Sequence, residues 1–400
     1  MSPDPNLVAL SALVTRALTP FQVSADRWPA ISALAVEHGL GPILYWTLGS
    51  EAKSLLTDDS SIPAQLRDTL RQATVHSLVL GQASRRIQTA LNLAGIPALW
   101  LKGLPLAHTV YPDPDLRPMV DLDLLVPYER RLAALECLES LGFRRSEEFT
   151  YEAVPRVVHR FAYNYSLRGG NDGVIAVELH FHLLDRIREQ PLLPVEQVGW
   201  FWEHPLRVDD GDFAFRTLRP EAHVLYLCAH AILQHGEADL RLLRYLDLYL
   251  LLTRYATSGF DWRQVVEQAT TLGWTYAVER ALALTARYFG TPVPEWVWRE
   301  LRDRRRPTEN VYCVVERQNQ TNHWDDLKDA SAALSRHERW LVLRALVFPS
   351  RSHLRHRYAL DGSQPVWPRY PRLWFEQARE VATWAWQRLT PREPSGKGEC

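Results

Sequence analysis

The chain has 400 residues, of which 46% are hydrophobic and 23% are charged, an ordinary balance for a globular protein. Because 46 Lys and Arg residues offset 47 Asp and Glu residues, no overall basic field exists to hold a nucleic acid. The four cysteines form no CxxC pair, which argues against a zinc knuckle or a redox dithiol. The most apolar windows are too short or too charged to span a bilayer, and the N-terminus lacks a signal-peptide pattern. These features favour a reduced, cytoplasmic protein.

The first part of the chain has a helical pattern. Apolar residues recur at helical spacing up to about Leu93, and Gly95 marks the end of this pattern. The segment "IPALWLKG" then reads as a short strand between a proline and a glycine. It is followed by a short helix "LPLAHTVY", a proline-rich loop "PDPDLRP", the strand "MVDLDLLV" and the helix "YERRLAALECLESLGF".

Two longer strands come next, "RVVHRFAYNYSLR" and "GVIAVELHFHL", joined by "GGND", which is typical of a hairpin turn. From about Pro220 the helical period returns. The tail from about Arg351 is rich in Arg, Pro and Trp, and we expect its end to be frayed. The sequence therefore predicts an α+β fold, with a small mixed sheet core between N-terminal and C-terminal helical regions. The predicted regions are 1–94, 95–215, 216–350 and 351–400.

Acidic side chains are concentrated on one face of two predicted strands. In "DLDLLV", Asp121 and Asp123 alternate with leucines and share a face, as Glu178, His180 and His182 do in "VIAVELHFHL". If the two strands are neighbours in one sheet, three carboxylates converge and repel one another unless a cation neutralises them. Mg²⁺ suits such a place, because it takes oxygen ligands from carboxylates and phosphates. An edge strand with a solvated face would show the same DxD spacing.

This arrangement resembles the nucleotidyltransferase superfamily, with the fold of polymerase-β-like enzymes. It is most similar to an uncharacterised nucleotidyltransferase family whose members read "lKG…yP.p..R…DiDlLv". The similarity runs through "LKGLPLAHTVYPDPDLRPMVDLDLLVP" and "VELHFHL" to "AHAILQH…LRYLDLYLLL", about residues 75–290. The resemblance implies that the core at 95–215 is of nucleotidyltransferase type. It also implies that Asp121 and Asp123 are the metal-binding pair and that Glu178 is the third acid.

Residues around the acids carry expected roles in nucleotide binding. By the resemblance, Gly103 is the glycine of the phosphate-binding turn, and Leu104 stands where the superfamily has a small residue or a serine. Lys102 would bring positive charge to the phosphates, although a solvated strand end is an equal alternative. Arg117 would either fork onto a phosphate or neutralise the acids through a structural salt bridge. We expect His180 to line the nucleotide site.

Polar residues also interrupt the apolar C-terminal helices. His223 and His230 are seven residues apart and share a helix face, and Asp247 belongs to a polar stripe on a Leu-rich helix. Such a stripe either faces a cleft or, more often, forms a salt bridge between helices over a core. We expect the helices after Pro220 to cover the cleft, with His230 and Asp247 either lining it or paired with each other.

The sequence predicts a magnesium-dependent nucleotidyltransferase. With Mg²⁺, or Mn²⁺ in its place, it would move a nucleoside monophosphate from a nucleoside triphosphate, ATP before others, onto an acceptor hydroxyl. Such transfer needs mainly positioning and charge neutralisation. Asp121, Asp123 and Glu178 would hold the metal, and Glu178 would also help to activate the acceptor oxygen. The acceptor would be a small molecule, a peptide or a protein, and neither a membrane nor a large nucleic acid is expected as a partner.

Two other functions stay open at this stage. Leu104 after Gly103 would suit a binding protein that keeps the fold without turnover, although the three retained acids argue against it. His180 and His182 would suit a metal-dependent phosphohydrolase, which would prefer a transition metal to Mg²⁺. A zinc site would need a third protein ligand, and the sequence shows no obvious third nitrogen or sulfur donor, so we expect no role for His182.

Overall fold

The structure is a computed structural model that describes most of the chain. The described residues are 4–49, 62–145, 164–170, 174–184, 198–237, 239–256, 259–291, 293–309, 335–349, 351–358, 360 and 364–389. Three predicted features lie partly outside them: residues 156–163 of the first long strand, residues 171–172 of the hairpin turn and the tail end at 390–400. Within the described ranges, no helix has both the length and the apolar character needed to cross a membrane.

Helices flank the core on both sides in sequence. The first group is α1 (Pro5–Val14), α2 (Trp28–Glu37), α3 (Gly41–Thr47) and α4 (Ile62–Leu93). The core contains α5 (Gly103–Thr109) and α6 (Arg131–Ser140). The last group is α7 (Pro220–Ala229), α8 (Leu242–Tyr255), α9 (Trp262–Leu272), α10 (Thr275–Phe289), α11 (Glu295–Asp303), α12 (Arg336–Val347), α13 (Arg351–Arg357) and α14 (Arg369–Leu389). A π-helical turn, His230–Gln234, follows α7 directly.

The strands form one mixed sheet. They are β1 (Leu99–Leu101), β2 (Asp121–Leu125), β3 (Arg144–Arg145), β4 (Asn164–Gly169), β5 (Ile175–His180), β6 (Leu206–Asp210) and β7 (Phe213–Thr217). Their spatial order is β3-β4-β5-β2-β1-β7-β6. β2 runs parallel to β5 and antiparallel to β1. The predicted α+β fold is confirmed, and so is the prediction that the strands of Asp121 and Glu178 are neighbours.

The hairpin of β6 and β7 is missed by the sequence-based prediction. Its turn contains Gly211, whose φ of 57° lies in the left-handed region that glycine adopts readily. Thr217 of β7 pairs with Trp100 of β1, so the hairpin extends the sheet beyond β1. The available signal is "VDDGDFAF", a glycine turn between two short alternating runs.

One face of the sheet buries an apolar core. Leu122 of β2 and Val177 and Leu179 of β5 point to this face, where they pack with apolar residues of α4 and α6. Trp100 is fully buried in the same core, and its indole N–H donates to the Gln88 side chain of α4 at 2.7 Å. Because strand side chains alternate, this packing directs the acidic residues of β2 and β5 to the other face.

The other face of the sheet is covered by the helices after Pro220. Leu99, Leu101 and Leu125 belong to a second core that contains residues of α7, α8 and α10. Leu125 shares its face with the acids of β2, since it lies two residues after Asp123. The prediction that these helices lie over the acid-bearing face is therefore confirmed.

A buried ion pair joins the sheet region to these helices. Arg117, in the loop before β2, donates to both carboxylate oxygens of Asp247 on α8, at 2.9 Å from Nε and 2.7 Å from Nη2. The Tyr111 hydroxyl donates to the same carboxylate at 2.7 Å. These contacts account for the polar residue on the Leu-rich helix. Of the two alternatives expected for Asp247, lining the cleft or pairing with His230, the pairing is wrong, because Arg117 and Tyr111 are its partners.

Removing Asp247 would leave the Arg117 guanidinium buried without its carboxylate. We expect Asp247→Ala to lower the free energy of unfolding by about 3–5 kcal/mol, the usual cost of breaking one side of a buried pair. Arg117→Met combined with Asp247→Leu should cost far less, because no charge is then left unpaired. Urea unfolding measures both effects, with Glu300→Ala as a control that breaks an exposed pair to Arg304. A loss no larger than that of the control would contradict a structural role for the buried pair.

His223 on α7 is buried, and Arg117 contributes to its electrostatic environment. Burial, and then the positive charge of Arg117, lower the pKa of His223 to about 3. In the unfolded chain a histidine has a pKa of about 6.5, so the unfolded state binds more protons between these two values. The free energy of unfolding should therefore rise with pH across this window, by up to about 1.4 kcal/mol per pH unit from this group.

We expect His223→Gln to remove this share of the pH dependence, because glutamine does not titrate. Urea unfolding from about pH 5 to about pH 8 measures the slope for the wild type and the variant. His76→Gln, at an exposed histidine of α4, is the matched control. Equal slopes in the wild type and His223→Gln would show that another group is responsible.

Candidate active site

The strand register brings three of the predicted site residues, Lys102, Asp123 and Glu178, to one row across the sheet. Leu101 of β1 lies opposite Asp123 of β2, and Asp123 lies opposite Glu178 of β5. Lys102 follows Leu101 directly, and its ammonium group reaches the same acids. Asp121 lies two residues before Asp123 and therefore shares its face of the sheet.

Asp123 is the most enclosed acid of the row. Its Oδ1 accepts a hydrogen bond from Nζ of Lys102 at 2.7 Å, and Nε2 of His180 lies 3.0 Å from the same oxygen. Burial alone would raise the pKa of Asp123, but Lys102 and then His180 lower it well below its ordinary value. The Asp123 carboxylate is therefore ionised, and two nitrogen groups stabilise its charge.

His180 connects the two carboxylates of the row. Its Nε2 lies 3.1 Å from Oε2 of Glu178 as well as near Asp123. Burial alone would lower the pKa of His180, but hydrogen bonds to Asp123 and Glu178 raise it above its ordinary value. Burial alone would raise the pKa of Glu178, but the hydrogen bond from His180 lowers that pKa below its ordinary value. Glu178 is thus ionised at neutral pH, and its side chain is 28% exposed, so a ligand can reach it.

Asp121 differs from the other two acids in its charge state. Burial, and then the negative charge of Asp123, raise the pKa of Asp121 to about 6, although Lys102 acts in the opposite direction. A carboxyl group with this pKa carries a proton in half of the molecules at about pH 6. A cation at this edge of the row would therefore compete with that proton.

Three side chains of the row could hold one metal ion. Asp123, Glu178 and His180 each offer a ligand atom, and these atoms lie within 4.8 Å of one another. Two carboxylate oxygens suit Mg²⁺ or Mn²⁺, and an imidazole nitrogen is a common ligand of transition metals. This donor set fits a divalent cation, which would share Asp123 with the Lys102 ammonium 2.7 Å away. Asp121 is not one of these three residues, and its role as a ligand stays a prediction.

The turn that carries Lys102 has an unusual backbone conformation. Lys102 has a φ of 48° and a ψ of −111°, a region that residues with side chains rarely adopt. Such strain costs about 1–3 kcal/mol and persists where surrounding contacts enforce it. Burial alone would lower the pKa of Lys102, but Asp123, Tyr226 and Glu178 together raise it above its ordinary value. The ammonium group is therefore charged and directed at the acids.

Gly103 is required by close packing after this turn. A β-carbon at position 103 would lie 2.8 Å from Nη1 of Arg117 and 3.0 Å from the Met119 side chain. Arg117 cannot move aside without losing its two hydrogen bonds to Asp247. This packing explains the glycine on structural grounds. The phosphate-binding roles of Gly103 and Arg117 stay predictions.

The helical side contributes Tyr226 and His235, which the sequence-based site lacks, and His230, which was expected either to line the cleft or to pair with Asp247. The Tyr226 hydroxyl interacts with Lys102, and the His230 ring lies 5.8 Å from the Tyr226 ring and 4.7 Å from the His235 ring. His230 and its neighbours form the π-helical turn, and such turns are frequent at functional sites. Burial lowers the pKa of His230 well below its ordinary value and that of His235 to about 4. Both imidazoles are therefore neutral. The spacing of four residues from Tyr226 to His230 was the signal in the sequence that these two side chains lie on one face of the helix.

His182 is not part of this constellation. β5 ends at His180, and the His182 ring lies 5.6 Å from the Tyr128 ring and 5.6 Å from the Phe181 ring. The prediction that His182 shares the face of Glu178 is wrong, because side chains alternate regularly only while a strand continues.

Known proteins resemble this chain in sequence and, at low identity, in structure. The sequence profile of a family described as "Uncharacterised nucleotidyltransferase" matches residues 24–290. No curated protein matches the chain. One similar solved structure is the solution structure of the antibiotic-resistance factor ANT(2'')-Ia, 16% identical, covering 53% of this chain and 98% of that chain with a TM-score of 0.32. Another is a crystal structure of ANT(2'')-Ia in complex with adenylyl-2''-tobramycin, 14% identical, covering 50% and 99% with a TM-score of 0.32.

The family match covers more than half of the chain. It includes the whole row of Lys102, Asp123 and Glu178 together with the helices that cover it. The chain belongs to the uncharacterised nucleotidyltransferase family.

Proposed function

We propose that the protein transfers a nucleoside monophosphate from a nucleoside triphosphate, with ATP as the first candidate, onto a hydroxyl group of a small-molecule, peptide or protein acceptor. The observation that carries the proposal is the row of Lys102, Asp123 and Glu178, in which two carboxylates and one ammonium group converge. Transfer of this kind requires positioned charges more than covalent chemistry, and the row supplies such charges. Family membership supports the same reaction class.

The acids of the row would hold a divalent cation, Mg²⁺ or Mn²⁺. Asp121, Asp123 and Glu178 are the proposed ligands. His180 contacts two of them and would fix their orientation, as side chains that hydrogen-bond to metal ligands commonly do. When bound, such an ion neutralises phosphate oxygens and promotes ionisation of the acceptor hydroxyl.

Lys102 would bind the acids and the triphosphate in turn. Without ligands, its ammonium group is the counter-charge of Asp123. If a cation takes this oxygen of Asp123, Lys102 would move to phosphate oxygens, since a lysine binds phosphate as a mobile point charge. Cation and triphosphate would in this way support each other's binding. Gly103 and Arg117 would contribute beside it, through close approach of the turn and through positive charge.

The acceptor would enter from the side of α7 and its π-helical turn. Glu178 is partly exposed and ionised, so it could accept the proton of an acceptor hydroxyl. His230 and His235 are neutral and could accept hydrogen bonds from further polar groups of the acceptor. These features suit an acceptor with several polar groups.

The structure gives less support to the two alternative functions. Leu104, which suggested a binding protein without turnover, is buried in the core with α4 and α6. Packing in this core therefore explains the leucine at position 104 independently of phosphate binding. His182, which suggested a phosphohydrolase, contacts Tyr128 and Phe181 instead of joining His180 at the acids.

A transfer assay tests the proposed function directly. Purified protein is incubated with each α-labelled nucleoside triphosphate and Mg²⁺ or Mn²⁺, with small-molecule and peptide fractions of a cell extract as acceptors. We expect cation-dependent transfer of label together with release of pyrophosphate. Cation-dependent triphosphate binding without transfer would favour a binding protein, and no binding at all would overturn the proposed activity.

Asp123→Asn removes the charge at the centre of the row. We expect nucleotidyl transfer to fall by more than about a hundredfold, which exceeds the usual loss for a residue outside the ligand shell. Asp113→Asn is the matched control, since it makes the same chemical change at an exposed position of the neighbouring loop. Circular dichroism checks that both variants are folded. Transfer by Asp123→Asn at the level of the control would remove Asp123 from the proposed site.

Lys102→Met tests the exchange of Lys102 between acid and phosphate. We expect Mn²⁺ to bind the variant more tightly in the absence of nucleotide, because the competing ammonium is gone. Triphosphate should bind about tenfold more weakly, within the usual range for coupled sites. Isothermal titration calorimetry measures both affinities, with Arg71→Met, at an exposed side chain of α4, as the control. Weaker Mn²⁺ binding in Lys102→Met would show that Lys102 positions the acids instead of competing for them.

A further inference from the structure

The helix α12 exposes apolar side chains that the nucleotide site does not use. Trp340, Leu343 and Val347 are spaced by three and four residues, so they lie on one face of the helix. Their exposed fractions are 56%, 59% and 41%, respectively. An amphipathic helix of a globular protein normally turns such a face towards a core.

The helix α14 shows the same feature over a greater length. Leu373 is its buried apolar residue near the N-terminal end, whereas Trp374, Phe375 and Val381 are exposed. Trp374 and Val381 are seven residues apart and share a face, and Arg372 points to a different side of the helix. The apolar and the charged residues of α14 are therefore separated around the helix.

The exposed faces of α12 and α14 are continuous. Phe348, just after α12, has its ring 5.8 Å from the Trp374 ring and 6.0 Å from the Tyr370 ring. The Trp374 indole N–H donates to the carbonyl oxygen of Val347 at 2.7 Å, which fixes the two helices together. We call the combined area the C-terminal apolar surface. It consists of Trp340, Leu343, Val347, Phe348, Trp374, Phe375 and Val381.

The segment that carries the C-terminal apolar surface is rich in arginine. Residues 335–389 contain ten arginines, four acidic residues and no lysine, although the whole chain has a formal charge of −1. The Arg344 guanidinium lies over the Trp340 ring at 5.7 Å, so charge and apolar area are in direct contact. Exposed aromatic residues with arginines beside them are typical of helices that lie in the headgroup region of a membrane.

We propose that the C-terminal apolar surface docks the protein onto an anionic lipid bilayer, with α12 and α14 lying in the plane of the headgroups. Aromatic and aliphatic side chains enter the boundary of the acyl chains, while the arginines bind lipid phosphates. No membrane partner was expected from the sequence because no segment could span a bilayer. Binding at the headgroups requires no spanning segment. The proposal is independent of the reaction at the nucleotide site.

Two other occupants fit the surface less well. A second copy of the chain would bring its own ten arginines against these arginines, and like charges facing each other oppose association. A nucleic acid would match the arginines and the aromatic rings. It would leave the aliphatic side chains of Leu343, Val347 and Val381 against charged phosphates, where they gain nothing.

Co-sedimentation of the full chain with lipid vesicles tests the proposal. One set of vesicles contains phosphatidylcholine alone, and the other also contains phosphatidylglycerol. We expect binding to the anionic set, a blue shift of tryptophan fluorescence on binding, and weaker binding at high salt, since the Debye length falls from about 30 Å at 0.01 M to about 3 Å at 1 M. Wild-type protein that ignores anionic vesicles, or that binds neutral vesicles equally well, would overturn the proposal.

Two variants of the surface and one control complete the test. We expect Leu343→Ser and Phe375→Ser to weaken vesicle binding by about tenfold each, from the apolar area that they no longer bury. Leu78→Ser, at a leucine of α4 with an exposed fraction of 68%, should leave binding unchanged. Sedimentation velocity and binding to labelled RNA are measured in parallel. A wild-type dimer that Leu343→Ser dissociates, or RNA binding lost in Phe375→Ser without vesicle binding, would overturn the proposal.

Discussion

The burial of the Asp123 carboxylate is the constraint on which the site depends. An ionised carboxylate removed from water costs several kcal/mol unless other groups compensate its charge. Lys102 and His180 provide this compensation, and each is constrained in turn. Lys102 adopts a strained backbone in order to reach the acid, and His180 is held between Asp123 and Glu178. The pairing of β2 with β5 brings these groups together. The register of the sheet therefore determines which charges meet in the site.

A second buried charge is compensated by the helices that follow the sheet. Arg117 is a buried cation of the loop before β2, and α8 supplies its carboxylate from Asp247. Lys102 is a buried cation of the turn after β1, and α7 supplies the Tyr226 hydroxyl next to it. These two buried cations therefore both lie beside polar groups of the helices. The helical region contributes to the electrostatic state of the site as well as covering it.

Much of the fold and part of the site could be predicted from the sequence because they depend on local patterns. Alternation placed Asp123 and Glu178 each on the polar face of its own strand, since a regular strand has a period of two. The family resemblance implied that both acids belong to one site. The partner of Arg117 could not be predicted in this way, because Asp247 is 130 residues away and the contact depends on how α8 packs. His182 was misplaced because nothing local indicated that β5 ends at His180. The positive φ of Lys102 could not be predicted either, because the contacts that maintain it come from groups far away in the sequence, such as Asp123.

The close packing at Gly103 has a consequence for variation among related chains. The missing β-carbon at position 103 makes room for Arg117, and Arg117 in turn satisfies Asp247. These three positions are therefore coupled by packing and hydrogen bonding, although they belong to a turn, a loop and a helix. A lineage that acquires alanine at position 103 is under pressure to shorten the side chain at 117. The aspartate at 247 would then keep only the Tyr111 hydroxyl as a partner, so we expect changes at 117 and 247 to accompany a change at 103.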